Sequence, residues 1–321
     1  MIKTFHLSRS SHSEVMYRSE SDLIIGFNCL AYAALETDSI LLADGFISTH
    51  HHEIARCDNP ELLNKRHRYA FTRYFNAKYH RKGSLGDKKC FILELEGLYH
   101  TLIGLSYVNK QGLHHGLSST PFGYKHCSAN AFFRKELGKN DTPPLISDDK
   151  RHQFLPRNVK IPANYRMAEN GLLLREDILD TAYVESIYVS PRNFLYQMNR
   201  ISNDKIVKEQ LSETATPPIT LESIERGTPD FNPAKAFIDE AGRINNNRMT
   251  DIELCQIIDN QILPSQYFKD GQESSIYLLP ESKRNELGNR IWQESRTYHN
   301  NKSAFSGRII TTAQLKRCLV I

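Results

Sequence analysis

Apolar and polar positions in the first 140 residues alternate by turns with the period of a strand and the spacing of a helix. "KTFHLS" (3–8) reads as a strand. "DLIIGFNCLAYAALET" (22–37) reads as an apolar-rich helix that Asp22 can cap. "SILLADGFISTHHHEIAR" (39–56) reads as two strands joined by a turn around Asp44-Gly45 or slightly later. A long helix follows over 59–83, started by Pro60 and ended by Gly83. "KCFILELEG" (89–97) is a strand and "LYHTLIGLSYVNKQ" (98–111) a further helix. This order predicts an α+β sandwich with helices packed on an antiparallel sheet.

Regular structure breaks at "GKNDTPPLISDDK" (138–150), where Pro143-Pro144 sits among polar residues, and the break predicts domains over 1–140 and 141–321. "SETATPPIT" (212–220) is a second soft spot. The C-terminal region reads as mostly helical. Thr250 and Glu253 form a capping box for a helix over 250–263, and 280–296 and 311–321 carry helical spacing. Two of these helices suit a helical packing domain or part of a helix-turn-helix, so DNA binding there stays open.

Composition narrows the class. The chain has 321 residues, is 40% hydrophobic and has a mean hydropathy of −0.50, which is that of a soluble globular protein. No apolar run approaches the roughly 20 residues of a membrane helix, and the N-terminus lacks a signal peptide's apolar centre, so a cytoplasmic location is expected. Six cysteines without a CxxC pair argue against a zinc ribbon or a disulfide framework. Charge is uneven: residues 1–140 hold 18 Lys and Arg against 13 Asp and Glu, and the remainder 23 against 24. Eleven of the 13 histidines precede residue 127.

The basic excess concentrates on the long helix. Lys65, Arg66, Arg68, Arg73, Lys78, Arg81 and Lys82 follow one another with no acid between them. Tyr69, Phe71, Tyr74, Phe75 and Tyr79 are interleaved. Such cations neutralise phosphates, and exposed aromatics stack on unpaired bases, although most of these aromatics suit the helix's core face.

Candidate chemistry begins at His50-His51-His52. Alternate residues of a strand share a face, so His50 and His52 project together and His51 faces the other way. Two imidazoles on one strand make half of a divalent-cation site; a solvated strand edge is the plain alternative. Tyr107 and Gln111, at i and i+4 of the helix over 98–111, share one helix face. If that face meets His50 and His52, the set offers two imidazoles, an amide oxygen and a phenol. With a pKa near 10, only roughly one tyrosine in a thousand is ionised at neutral pH. A phosphodiester activated by a metal is then its most plausible target. A zinc hydrolase using the triplet with Glu53, or with His114 and His115, is a third reading, but no HExxH arrangement is present.

Taken together, these residues resemble the HUH-type single-tyrosine transposases, especially the REP-associated tyrosine transposases of bacteria, over about residues 1–135. His50-His51-His52 corresponds to the HUH motif. "YVNKQGLHHG" (107–116) is similar to the nucleophile segment Tyr-Ile-x-x-Asn-Pro-Val-x-x-Gly. The segments 5–22, 73–86 and 120–133 fall in the family's order. The resemblance implies a ferredoxin-like antiparallel sheet with helices packed on it. It also implies Tyr107 as nucleophile and Mg²⁺ or Mn²⁺ held by His50, His52 and Gln111. Arg9, in the opening segment, joins the seven helix cations as an expected DNA contact. The implied activity is cleavage and rejoining of single-stranded or hairpin DNA through a 5′-phosphotyrosine, in cis or across a homodimer. A domesticated DNA-hairpin-binding relative with cleavage lost is the alternative. His51 replaces an apolar residue, which predicts a less buried strand face, and Gly112 replaces a common proline, which predicts a looser helix end.

Overall fold

The computed structural model describes residues 2–139, 141–155, 159–198, 219, 247–297 and 303–321. The soft spot at 212–220 lies outside the described residues except for Ile219. Up to Asn109 the elements come in the expected order: β1 (Lys3–Ser10), α1 (Glu20–Glu36), β2 (Ile40–Ile47), β3 (His50–Cys57), α2 (Pro60–Lys78), β4 (Phe91–Glu94) and α3 (Gly97–Asn109). The four strands form one antiparallel sheet in the order β2-β3-β1-β4.

Local chemistry sets the boundaries. Ser19 caps α1 and Asp22 answers it from the third position, so the expected cap residue is the second half of a capping box. The hairpin turn falls at Ser48-Thr49, because Asp44 and Gly45 are still paired with Glu53 and His52. Asn59 and Pro60 start α2, which stops at Lys78, short of Gly83. His80 has already turned to a φ of 51°. Leu63, His67, Phe71, Phe75 and Tyr79, each four residues on, form the buried stripe of α2 and its cap.

β3 is central and almost wholly buried, because helices cover both sides. His67 of α2 packs on His51, with ring centroids 4.7 Å apart. On the opposite face α3 lies close over Ile54 at Gly104, where an added Cβ would stand 3.2 Å from the Ile54 side chain and 2.9 Å from Leu95. The His51 face is therefore no less buried than the other: His51 is packed among Tyr17, Phe46 and His67.

The chain after α3 adds a short helix, α4 (Gln111–His114), then α5 (Thr181–Tyr188) and α6 (Pro191–Met198). Tyr188 hydrogen-bonds Ser106 of α3 at 2.8 Å, and Val184, Phe194 and Met198 join the apolar core of the sheet. A second apolar cluster holds Val15 with α7 (Asp251–Ile257), its π-helical continuation Ile258–Tyr267, α8 (Glu281–Ser295) and α9 (Thr312–Leu319). Thr250 and Glu253 form the expected capping box. Buried Arg18 ties this cluster to the sheet region, pairing with Asp259 and donating to the Cys318 carbonyl, both at 2.8 Å. No described helix is long and apolar enough to cross a membrane.

Candidate active site

The period of two divides the histidine triplet. His50, His52 and Ile54 face α3, where the imidazole of His52 meets the ring of Tyr107 edge-on, with centroids 5.1 Å apart. His50 and His52 stand 5.1 Å apart, centroid to centroid. His6 of β1 pairs with Ile54 and so shares this face. Its Nε2 lies 3.1 Å from His52 Nδ1, and its ring is 6.1 Å from Tyr107. Sequence reasoning missed His6, because only the β1–β3 register brings it beside His52.

Tyr107 and Gln111 come together, but not on one helix. α3 ends at Asn109, Lys110 caps it with an N–H bonded back to the Tyr107 carbonyl, and α4 starts at Gln111. The Gln111 amide donates to the Tyr107 carbonyl at 3.3 Å, so the two residues stay adjacent across the break. Gln111 Oε1 accepts from His115 Nε2 at 3.1 Å, and the His115 ring lies 4.8 Å from that of His50. Gly112 is a packing position rather than a loose end: a Cβ there would fall 2.1 Å from Cβ of Tyr124. A proline would meet the same obstacle.

Burial keeps these imidazoles neutral. It pushes His6 down to about 3, and with His51 beside it His50 also falls to about 3. Burial, helped by His50 and His6, holds His52 well below the ordinary histidine range. Each of the two triplet histidines is held through Nδ1, His50 by the Thr49 hydroxyl at 3.0 Å and His52 by His6. The Nε2 atoms of His50 and His52 are buried with no hydrogen-bond partner. Neutral imidazoles anchored at one nitrogen, with the other nitrogen unanswered beside an amide oxygen, fit a divalent cation.

The site is closed. Tyr107 and His50 are 1% exposed, and His52 and Gln111 are fully buried. A cavity of about 290 Å³ adjoins it at His115, lined also by Ser48, Tyr124, His126 and Asp251.

The cations of α2, with Arg81 and Lys82 just beyond its end, lie elsewhere. α2 covers the sheet face opposite α3, so the basic helix and Tyr107 are separated by the sheet. Lys65, Arg66, Arg73, Lys78 and Lys82 are exposed, and Arg68 and Arg81 are half-buried. Lys78 bonds Asp22, Ser19 and Ser21, and Arg81 forms a bidentate pair with Glu14. Phe71, Phe75 and Tyr79 belong to the core, while Tyr69 is 62% exposed with Arg73 over its ring. Arg9 is buried, its guanidinium donating to the Leu85 carbonyl and turned away from solvent.

Glu53 points with His51 to the α2 side, so the hydrolase set of triplet plus Glu53 is divided between two faces. Among the described residues, His51, Glu53 and His67 are the group whose imidazole and carboxylate ligand atoms lie mutually within 4.8 Å.

No family model matches the chain, and no curated protein matches it. Among solved structures, it is similar to a REP-associated tyrosine transposase bound to a REP hairpin. The identity is 9% and the TM-score 0.36, over 44% of this chain and 82% of that one.

Proposed function

We propose that the chain is a metal-assisted DNA strand transferase that cleaves and rejoins single-stranded or hairpin DNA. The observation that carries this reading is the convergence of Tyr107, the unanswered Nε2 atoms of His50 and His52, and Gln111 on one sheet face. The strand order and the β-α-β-β-α-β succession suit a ferredoxin-like frame for such a site. His50, His52 and Gln111 would hold Mg²⁺ or Mn²⁺, which when bound polarises a phosphodiester as a Lewis acid. Thr49 and His6 orient the two imidazoles, and His115 orients the Gln111 amide oxygen. Tyr107 Oη would bond to phosphorus as the P–O3′ bond breaks. The phenol proton ends on the departing 3′-oxygen, leaving a 5′-phosphotyrosine and a free 3′-OH. Attack by another 3′-OH on that linkage restores the tyrosine and joins new ends.

Lys65, Arg66, Arg68, Arg73, Lys78, Arg81 and Lys82 would neutralise phosphates, with Tyr69 available for stacking. Arg9 is left out of this contact set by its burial. A strand held by α2 must pass an edge of the sheet to reach Tyr107.

The closed site favours a second reading, a DNA-hairpin-binding protein that does not cleave. Incubation with labelled hairpin DNA and Mn²⁺, followed by denaturing electrophoresis, separates the two. A covalent adduct that disappears in Tyr107→Phe supports the transferase. Hairpin binding with no adduct in any divalent metal supports the second reading.

A further inference from the structure

We propose a second metal site on the opposite face of β3, in which His51 Nε2, the Glu53 carboxylate and His67 Nδ1 hold one Zn²⁺ ion that pins α2 to the sheet. This site is independent of the strand-transfer reading. The three donors come from two elements, the odd positions of β3 and the buried stripe of α2, and all three side chains are about 1% exposed.

Hydrogen bonding leaves the inward nitrogen of His67 available, and that of His51 as well when the Tyr17 hydroxyl accepts. His67 Nε2 lies 3.1 Å from the Gly26 carbonyl, which can only accept, so the ring donates there and its Nδ1 keeps a lone pair. That lone pair faces Glu53 Oε2 at 3.8 Å, and neither atom has a hydrogen-bond partner. His51 is tied at Nδ1 to the Tyr17 hydroxyl at 2.8 Å, which turns its Nε2 toward Glu53 Oε2 at 3.2 Å. A ring N–H donated to a carbonyl or another oxygen, with the second nitrogen left for the ion, is the arrangement found around metal-ligating histidines.

The ligand atoms lie within 4.8 Å of one another, and zinc bonds of about 2.0–2.2 Å require only a modest contraction. Two imidazoles and a carboxylate suit zinc better than Mg²⁺, which prefers oxygen ligands and retains water. Among the described residues, the other charges beside the cluster are Arg9, which stands opposite His51 on β1, and Asp44, which stands opposite Glu53 on β2. Arg9 donates to the Leu85 carbonyl, and Asp44 is neutralised by Arg175 at 2.8 Å. Neither closes the gap between Glu53 and His67. Among the described residues no fourth His, Cys, Asp or Glu joins the three, so one retained water would complete a four-coordinate ion whose role is structural, fixing the strand whose other face presents His50 and His52.

Metal content of the purified full chain, prepared with Zn²⁺ and measured by elemental mass spectrometry, tests this. About one zinc per chain is expected to survive in the His50→Ala/His52→Ala double variant and to be lost in both His67→Gln and Glu53→Gln. Removing zinc with a chelator should lower the melting temperature of the wild type by at least about 5 °C and leave His67→Gln unmoved. Where His67→Gln fails to fold, Co²⁺ substitution of the wild type supplies the readout, with a tetrahedral absorption band expected that persists in His50→Ala/His52→Ala. Zinc that follows His50 and His52 instead overturns this site and leaves the strand-transfer reading standing. A folded wild type with no bound zinc and a melting temperature indifferent to chelator also overturns it.

Discussion

The ring of Tyr107 stands perpendicular to the imidazole of His52, with 84° between their planes, across the interface where α3 crosses β3. The contact joins the candidate nucleophile to the candidate metal ligands without an intervening residue. It also places the phenol in a packed interior, where its chemistry and its structural role can be separated by substitution.

Tyr107→Phe keeps the ring and removes the hydroxyl. It should abolish covalent attachment to DNA while hairpin affinity stays within about twofold and stability changes by about 1 kcal/mol. Tyr107→Ala, by contrast, should cost about 3–5 kcal/mol through the cavity it leaves. Urea denaturation beside the adduct assay distinguishes the two effects.

The Thr49 hydroxyl, 3.0 Å from His50 Nδ1, orients a proposed ligand without being one. Thr49→Val should weaken Mn²⁺ activation by about 10–100-fold, the usual cost of losing an outer-shell partner. The Mn²⁺ concentration at half-maximal adduct formation should rise, while the adduct yield at saturating metal changes much less. An unchanged Mn²⁺ requirement would remove His50 from the ligand set.

Gly112 faces Tyr124, whose Cβ would lie 2.1 Å from any added Cβ. Gly112→Ala should destabilise the chain by about 1–3 kcal/mol, and by displacing Gln111 it should reduce metal-dependent adduct formation as well. Thermal unfolding and the adduct assay should therefore fall together. This glycine illustrates what the sequence could not show: beside the family's pattern it reads as a loosened helix end, and only the packing of Tyr124 reveals why it is small.

Much of the frame was legible because period and punctuation agreed. The strand alternation around the triplet, the Pro60 start and the Thr250 capping box each reappear in place. The division of His50 and His52 from His51 followed from strand geometry alone. His6 escaped notice, and His115 was read only as a candidate zinc ligand rather than as the partner of Gln111, since cross-strand register and the break after Asn109 depend on tertiary pairing. The burial of Arg9 escaped for a similar reason: a cation on an opening strand looks solvated until the Leu85 loop covers it.

Acidification should destabilise the fold through buried neutral histidines outside the candidate site. His126 is held down to about 3, first by burial and then by Arg175 and Lys125. A histidine depressed in this way contributes its full stability above about 6.5, the unfolded value. That contribution is lost as pH falls toward 3, at up to about 1.4 kcal/mol per pH unit. His126→Phe should flatten the pH dependence of the urea midpoint between about 6.5 and 4, and an unchanged slope would refute this assignment.

Asp44 and Arg175 form a bidentate pair at 2.8–3.0 Å, 0% and 6% exposed, joining β2 to the segment before α5. Arg175→Met strands a buried carboxylate and should cost about 3–5 kcal/mol, whereas Asp44→Leu/Arg175→Met together should cost much less. Denaturant midpoints of the two variants provide the comparison.

The central claim is that Tyr107 forms a covalent bond to DNA. Its most direct test is mass spectrometry of proteolytic peptides after reaction of the full chain with hairpin DNA, Mn²⁺ and nuclease trimming. The account predicts a nucleotide linked by its 5′-phosphate to the peptide containing Tyr107. A DNA adduct on another residue, or hairpin binding with the Tyr107 peptide wholly unmodified under every divalent metal tried, would contradict it.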